Sequence, residues 1–88
     1  MMPVHVEFFG LVRKRAGVER VDVEADSLGA ALRQLAQDLP GLSDTCIEGN
    51  RLLPGYIANI NGTAFVTDPA TPMKSGDSLL ILSADAGG

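Results

Sequence analysis

The sequence predicts an α+β domain of two layers, in which one main helix packs on one face of a mixed sheet of four to five strands. Two hydrophobic periods carry this prediction. Apolar and polar residues alternate over 3–9 and again over 19–25, which is typical of strands, and apolar residues then recur at helical spacing over 28–39. Strand-like segments return after residue 55, so the predicted helix has strands on both sides of it in the sequence.

Length and composition allow one folded domain. The chain has 88 residues, of which 45% are hydrophobic and 20% charged, and these fractions fit a globular protein. A net charge of −4 argues against a nucleic-acid partner and against a polybasic membrane patch. No apolar run approaches the roughly 20 residues that span a bilayer, so no membrane partner is expected. Cys46 is the single cysteine, which excludes an internal disulfide and indicates a cytoplasmic protein.

The first two strands are predicted to form an antiparallel pair. Alternate residues are apolar over 3–9 and over 19–25, so each segment has one face suited to a core. The connection between them, residues 10–17, is predicted to be an irregular loop. Three consecutive cations at 13–15 could meet an acidic partner, although a solvated loop is the commoner outcome for such a run.

The helix is predicted over residues 28–39 because its apolar residues fall on one face. Ser27 is suited to cap its first turn, since a serine oxygen can accept a hydrogen bond from a free backbone N–H there. Pro40 ends it, because proline cannot continue a helix. Residues 41–54 are predicted to be irregular, with glycine, asparagine and proline as breaks in the pattern.

The second half of the chain predicts three further strands. One is expected at Tyr56–Ile60 and a short one at 63–66, joined by Asn61 and Gly62, which both tolerate the positive φ of a tight hairpin. The last strand is expected over 78–84. Its apolar residues form an unbroken run, which is typical of a central strand covered on both faces.

The usual catalytic constellations are missing from this chain. One histidine and one cysteine cannot form a zinc site of the usual kinds, and there is no glycine-rich phosphate loop between a strand and a helix. His5 is interpreted as a surface residue of the first strand, and Cys46 as a small apolar residue. We therefore expect no metal site, no permanently bound cofactor and no independent catalytic site.

The tail is the exception. The sequence predicts a folded domain over residues 1–84 and a flexible tail over 85–88 that ends in Ala86, Gly87 and Gly88. Fully extended, four residues reach about 13–14 Å. Glycine has no Cβ, so its backbone can enter a narrow tunnel and its carbonyl carbon is open to attack. The alternative is a frayed end without function, and the residues by themselves leave both interpretations open.

Short motifs along nearly the whole chain resemble one known family. They are Val6-Glu7-Phe8-Phe9-Gly10, Ala31-Leu32 in the helix, Ile60-Asn61-Gly62, Ser75-Gly76-Asp77 and the terminal Ala86-Gly87-Gly88. In order and spacing they resemble the MoaD/ThiS family of ubiquitin-like sulfur carriers, most closely the small subunit of molybdopterin synthase. The resemblance implies the β-grasp fold, which agrees with the α+β architecture expected from the patterns above.

The resemblance also implies a function, sulfur delivery for molybdenum cofactor synthesis. An E1-like partner would use ATP to adenylate the carboxylate of Gly88, and a sulfur donor such as a persulfide would convert it to a thiocarboxylate. Ala86 and Gly87 would thread the tail into the partner's site. The sulfur would pass to a pterin precursor held by the large subunit of molybdopterin synthase.

Docking is expected on the sheet face away from the helix. If the first strand turns its valines toward the helix, Phe9 faces outward, together with either Leu80 and Leu82 or Leu79 and Ile81. An exposed apolar patch of this kind often marks an interface. The alternative is a second small cluster that simply fills this face.

One departure from the family pattern keeps the pathway open. Many molybdopterin-synthase carriers have proline and bulky apolar residues just before the tail, whereas this chain has Leu82-Ser83-Ala84-Asp85. Sulfur delivery to thiamine, cysteine or tRNA thiolation therefore stays an alternative. So do a ubiquitin-like protein modifier, which would join Gly88 to a lysine, and a noncovalent interaction module.

Overall fold

The computed structural model of the protein describes residues 3–87. Its strands are β1 Val4–Phe8, β2 Arg20–Val23, β3 Ile47–Glu48, β4 Arg51–Leu52, β5 Tyr56–Ile60, β6 Ala64–Val66 and β7 Ser78–Ser83. Its helices are α1 Leu11–Ala16 and α2 Leu28–Asp38, with 3₁₀ turns at Pro40–Leu42 and Ala84–Gly87.

The main sheet has five strands in the order β2-β1-β7-β5-β6. β1 and β2 pair antiparallel, as predicted, and β7 runs parallel to β1 and antiparallel to β5. The last strand therefore occupies the centre of a mixed sheet, which confirms the interpretation of its apolar run. A parallel neighbour requires a crossover, and α2 lies in the long connection that supplies it.

The core lies between the sheet and α2. Leu28, Leu32 and Leu35 of the helix are fully buried, and they meet the alternate apolar residues of β1 and β7. The hydroxyl of Ser27 accepts a hydrogen bond from the N–H of Ala30 at 3.1 Å, which confirms the predicted cap. The helix ends at Asp38, one residue before the predicted end.

The prediction of an irregular loop at residues 10–17 is wrong, because this segment contains α1. Two glycines with positive φ, Gly10 at 61° and Gly17 at 80°, bracket the helix. Val12 is fully buried and Ala16 packs against the core four residues later. An isolated six-residue helix is unstable in water, so burial of this one face stabilises it. Such a face is too short to show a helical period in the sequence.

The segment 41–54 also differs from the prediction. It holds the two-residue strands β3 and β4, which pair antiparallel outside the main sheet. Cys46 and Ile47 are buried in the same core as α2. Strands of two residues are too short to show alternation, so the pattern missed them.

The turn from β5 to β6 confirms the predicted hairpin and is tied to the start of β7. Asn61 and Gly62 have φ values of 55° and 72°. The amide of Asn61 donates to the carboxylate of Asp77 at 3.0 Å and accepts from the N–H of Ser78 at 2.8 Å. The N–H of Lys74 also donates to Asp77, at 2.8 Å. These two donors hold the pKa of Asp77 below its ordinary value.

Candidate functional site at the end of the central strand

The residues after β7 leave the sheet at an edge shared with the end of β1. The two strands are parallel, so their carboxyl ends lie side by side. The N–H of Phe9 donates to the carbonyl of Ile81 at 3.1 Å. On the other side, the N–H of Ala84 donates to the carbonyl of Gly55 at 2.8 Å. Phe9 and Gly55 therefore flank the point at which the tail begins.

β7 is followed by one 3₁₀ turn, Ala84–Gly87, which contains the last residue of the predicted domain and the first three residues of the predicted tail. The N–H of Asp85 lies 3.3 Å from the hydroxyl of Ser83, within hydrogen-bond distance. A 3₁₀ turn rises about 2 Å per residue, so the segment reaches less far than it would when extended. Ala86 and Gly87 lie in this turn, whereas Gly88 lies outside the described residues. The predicted flexible tail and the role of the Gly88 carboxylate both stay predictions.

The predicted docking residues differ in how much surface they offer. Leu79 and Ile81 are fully buried in the core, so the outward set of β7 is Leu80 and Leu82. Leu80 is half-buried and Phe9 is exposed. Leu82, however, is only 6% exposed, so it offers almost no surface to a partner. For Leu82 the alternative interpretation, a small cluster on this face, describes the structure better.

The rest of the face away from α2 is polar beside β7. His5 lies there, and its Nδ1 is 2.8 Å from a carboxylate oxygen of Asp22 on the neighbouring strand. Both side chains are exposed, in agreement with the interpretation of His5 as a surface residue. Within residues 3–87, no group of three or more His, Cys, Asp or Glu side chains could hold a metal ion. None of the helices in that range is long and apolar enough to cross a membrane.

Cys46 is fully buried, as expected of a small apolar residue. Its sulfur lies 3.8 Å from the hydroxyl of Thr45. Burial raises the pKa of the Tyr56 hydroxyl, and the neighbouring thiol of Cys46 raises it further. A thiol without solvent access is a poor nucleophile toward groups on another protein.

Sequence reasoning missed part of the surface beside the tail. Leu11 and Val18 are exposed large apolar residues, like Phe9, and all three lie around α1. The cations at 13–15 lie on the same short helix and are exposed. A signal was present, since Leu11 and Val18 each directly follow one of the two glycines that bracket α1. The pattern does not show that the parallel pairing of β1 and β7 brings them to the tail.

Three solved structures illustrate the likeness to known proteins. The complex of subunits 1 and 2 of the molybdopterin-converting factor from Helicobacter pylori contains a chain 28% identical to this one, with a TM-score of 0.66, covering 99% of this chain and 100% of that chain. The small archaeal modifier protein 1 from Methanosarcina acetivorans is 24% identical, with a TM-score of 0.75 and coverage of 100% and 98%. A chain of the BexX/CysO complex from Amycolatopsis orientalis is 21% identical, with a TM-score of 0.78 and coverage of 97% and 99%.

The family comparison covers nearly the whole chain. A search of curated protein sequences gave no significant match. The model of the ThiS family matches residues 6–88, from β1 through both terminal glycines. The structures above share the β-grasp architecture of a mixed sheet with one main helix, which confirms the predicted fold. The chain therefore belongs to the ThiS family, and it resembles ubiquitin-like sulfur carriers along its full length.

Proposed function

We propose that this protein is a sulfur carrier whose Gly88 carboxylate is adenylated and then converted to a thiocarboxylate. The observation that carries the proposal is the family match, which extends through Gly87 and Gly88. Two features of the fold support it. The central strand leads directly into the tail, and Cys46, the one cysteine, is buried.

The proposed chemistry takes place in three steps. An E1-like enzyme transfers AMP from ATP to a carboxylate oxygen of Gly88, and pyrophosphate leaves. The terminal sulfur of a persulfide attacks the activated carbonyl carbon, and AMP leaves, which gives an acyl disulfide. A thiol then attacks the donor's sulfur in that disulfide, so a new disulfide forms and the thiocarboxylate is released. ATP is bound by the activating partner, and the carrier needs no cofactor of its own.

In this scheme the carrier acts by positioning one group. It supplies no acid or base, and Ala86 and Gly87 thread the reacting end into the partner's site. Glycine suits a narrow tunnel because it has no Cβ. The folded body gives the partner a rigid surface, which avoids the ordering cost that a disordered peptide would have. Bringing the reacting end to a fixed place is the carrier's contribution to the rate.

We further propose that the sulfur is used in molybdopterin synthesis, with the large subunit of molybdopterin synthase as acceptor. The full-length likeness to the H. pylori molybdopterin-converting factor supports this pathway. The likeness to small archaeal modifier protein 1 supports a second candidate, in which Gly88 forms an isopeptide bond to a lysine. The CysO complex keeps sulfur delivery to another acceptor as an alternative. A reducing cytoplasm suits the sulfur-carrier function, because the thiols that take part in it stay reduced there.

Intact-protein mass spectrometry tests the function. The full chain is incubated with ATP, an E1-like enzyme of the same organism and a persulfide source. We expect a mass gain that corresponds to one oxygen replaced by sulfur, and no gain in a control that lacks Gly87 and Gly88. An intact carrier that is not modified under these conditions would contradict the proposal. Affinity-tagged carrier found in larger covalent adducts, without thiocarboxylate, would favour the modifier function.

A further inference from the structure

The charge of this chain is strongly divided. Residues 9–20 hold four of the seven cations and one of the eleven acidic residues, a net charge of +3. The whole chain carries −4, so all the other residues together carry −7. The positive region is centred on α1, where residues 13–15 are consecutive cations and all exposed. An acidic surface is therefore attracted to one side of the molecule and repelled by the rest.

The exposed apolar residues are concentrated at the same place. Among residues 3–85, four large apolar side chains are exposed, and three of them surround α1. These are Phe9, Leu11 and Val18, which are 52%, 46% and 39% exposed. Together with Arg13, Lys14 and Arg15 they define what we name the α1 patch. Apolar residues next to cations form a surface suited to a protein partner that has an apolar pocket with an acidic rim.

The α1 patch lies beside the tail. The N–H of Phe8 donates to the carbonyl of Glu19 at 3.0 Å, which places Val18 next to Phe9 across the β1–β2 pair. The N–H of Phe9 is in turn hydrogen-bonded to the carbonyl of Ile81 in β7, four residues before the predicted tail begins at Asp85. A partner seated on the α1 patch would therefore have the tail at the edge of its own footprint.

The helix that displays the cations is held firmly against the body. Val12 is fully buried, and a Cβ on Gly41 would overlap the carbonyl oxygen of Arg15, so the helix end and the first 3₁₀ turn are in close contact. Arg13 is paired with Glu19 at 3.4 Å. In the part of the chain that the structure describes, Lys14 and Arg15 make no ion pair, which leaves both available to a partner.

We propose that the α1 patch is the surface on which the activating enzyme docks, through an acidic surface that adjoins the tunnel for the tail. This inference rests on the proposed function, since it names where the partner of that function binds. Cations near the C-terminus of a helix also interact favourably with the helix dipole. That effect is confined to the last turn, and it does not explain why the apolar side chains of Leu11 and Val18 are exposed. The division of charge orients the encounter, so that the tail approaches the tunnel first.

Pyrophosphate exchange by the E1-like enzyme of the same organism tests the docking surface, with the carrier as substrate. The variant Lys14→Glu/Arg15→Glu is compared with Arg33→Glu/Arg51→Glu, which changes the net charge equally at exposed positions outside the α1 patch. We expect the patch variant to raise the KM for the carrier about 10-fold or more with little change in kcat, and the control variant to raise it far less. Added salt should raise the KM of the unaltered carrier and reduce this difference.

A second variant separates docking from folding and from bulk charge. Leu11→Ser removes an exposed apolar side chain without changing charge, so it should raise KM several-fold while leaving the salt dependence unchanged. Circular dichroism and thermal unfolding show whether each variant keeps the overall secondary structure and stability of the unaltered protein. Folded patch variants with an unchanged KM would overturn the docking surface while exchange by the unaltered carrier still supports the proposed function. Absence of exchange with the unaltered carrier would overturn both.

One further outcome would show that the α1 patch binds a membrane rather than a protein. If the carrier sediments with phosphatidylserine vesicles, the Lys14→Glu/Arg15→Glu variant does not, and the KM for exchange is the same for both, the patch binds membrane and the inference is wrong. Three exposed cations are fewer than the 4–8 that such surfaces usually need, and this favours the protein partner.

Discussion

The two ends of β7 are held in different ways. At its start, three hydrogen bonds connect the side chains of Asn61 and Asp77 to each other and to two backbone N–H groups, those of Lys74 and Ser78. At its other end, Ala84, the first residue after the strand, donates one backbone hydrogen bond to the carbonyl of Gly55 in the segment before β5. The start of the strand is thus held by three side-chain hydrogen bonds, whereas the residue after its end is held by one backbone hydrogen bond. The stability of this protein and its proposed chemistry should therefore respond to different substitutions.

Removal of Gly87 and Gly88 should have the largest effect on function and almost none on the fold. The last strand residue in the described core is Ile81 of β7, so we expect the core to be kept when the two glycines are removed. We expect complete loss of thiocarboxylate formation by mass spectrometry, with an unchanged midpoint of thermal unfolding. A second variant, in which both glycines are replaced by alanine, keeps the length of the tail. It tests whether the partner's tunnel admits a residue that has a Cβ. Normal activity in the deletion variant would favour a noncovalent interaction module.

Leu32→Ala should have the largest effect on the fold. Leu32 is fully buried between α2 and the sheet, so its truncation leaves a cavity. We expect a loss of about 2–5 kcal/mol in the free energy of unfolding by urea denaturation. Arg33→Ala, at the next position on the exposed side of the same helix, should change it by less than about 0.5 kcal/mol. Equal effects of the two substitutions would contradict the described packing of α2.

Gly41→Ala tests how closely α1, which lies beside the tail, packs against the 3₁₀ turn at Pro40–Leu42. The new methyl group would overlap the carbonyl oxygen of Arg15, so α1 or the 3₁₀ turn must move. We expect a cost of about 1–3 kcal/mol in unfolding free energy, together with a raised KM for the activating enzyme because the α1 patch shifts. Ser43→Ala, an exposed position nearby, is the control. A variant as stable as the control would show that this contact is looser than described.

The difference between the two ends of β7 also separates what the sequence could predict from what it could not. The long elements were predictable, because α2 and the strands each show several periods of one pattern. The unbroken apolar run at 79–82 predicted the central strand, and Asn61 with Gly62 predicted the hairpin. These signals are local. They concern the body and the fixed end of β7.

The tail edge was predictable only in part, because its structure depends on contacts distant in sequence. α1 is stabilised by the burial of Val12 rather than by a helical period. The exposed Leu11 lies near the tail because β1 runs parallel to β7, and a crossover of this kind leaves no mark in either segment. The burial of Leu82, which was predicted to be a docking residue, likewise depends on strands that pair across the chain. The direct signals at this end of the sheet were the terminal glycines and the run of cations at 13–15.

The smallest effect is expected at the fixed end of β7, from the titration of Asp77. Hydrogen bonds from Asn61 and from the N–H of Lys74 lower the pKa of this carboxyl in the folded state, so folding favours its charged form. The stabilisation is present above the unfolded pKa of about 3.9 and is lost as the pH falls through the lower folded pKa. Urea denaturation between about pH 5 and pH 2 should therefore show a steeper loss of stability in the unaltered protein than in Asp77→Asn.

Asp68→Asn is the matched control for this titration, because Asp68 is an exposed turn aspartate outside the Asn61–Asp77 contact. The dependence of its unfolding free energy on pH should resemble that of the unaltered protein more closely than the dependence in Asp77→Asn does. Since Asp77 lies at the surface, added salt should reduce the difference. Parallel pH profiles for all three proteins would mean that the hydrogen bonds at the start of β7 do not favour the ionised carboxylate. In that case the contrast between the two ends of the strand would rest on the backbone bonds alone.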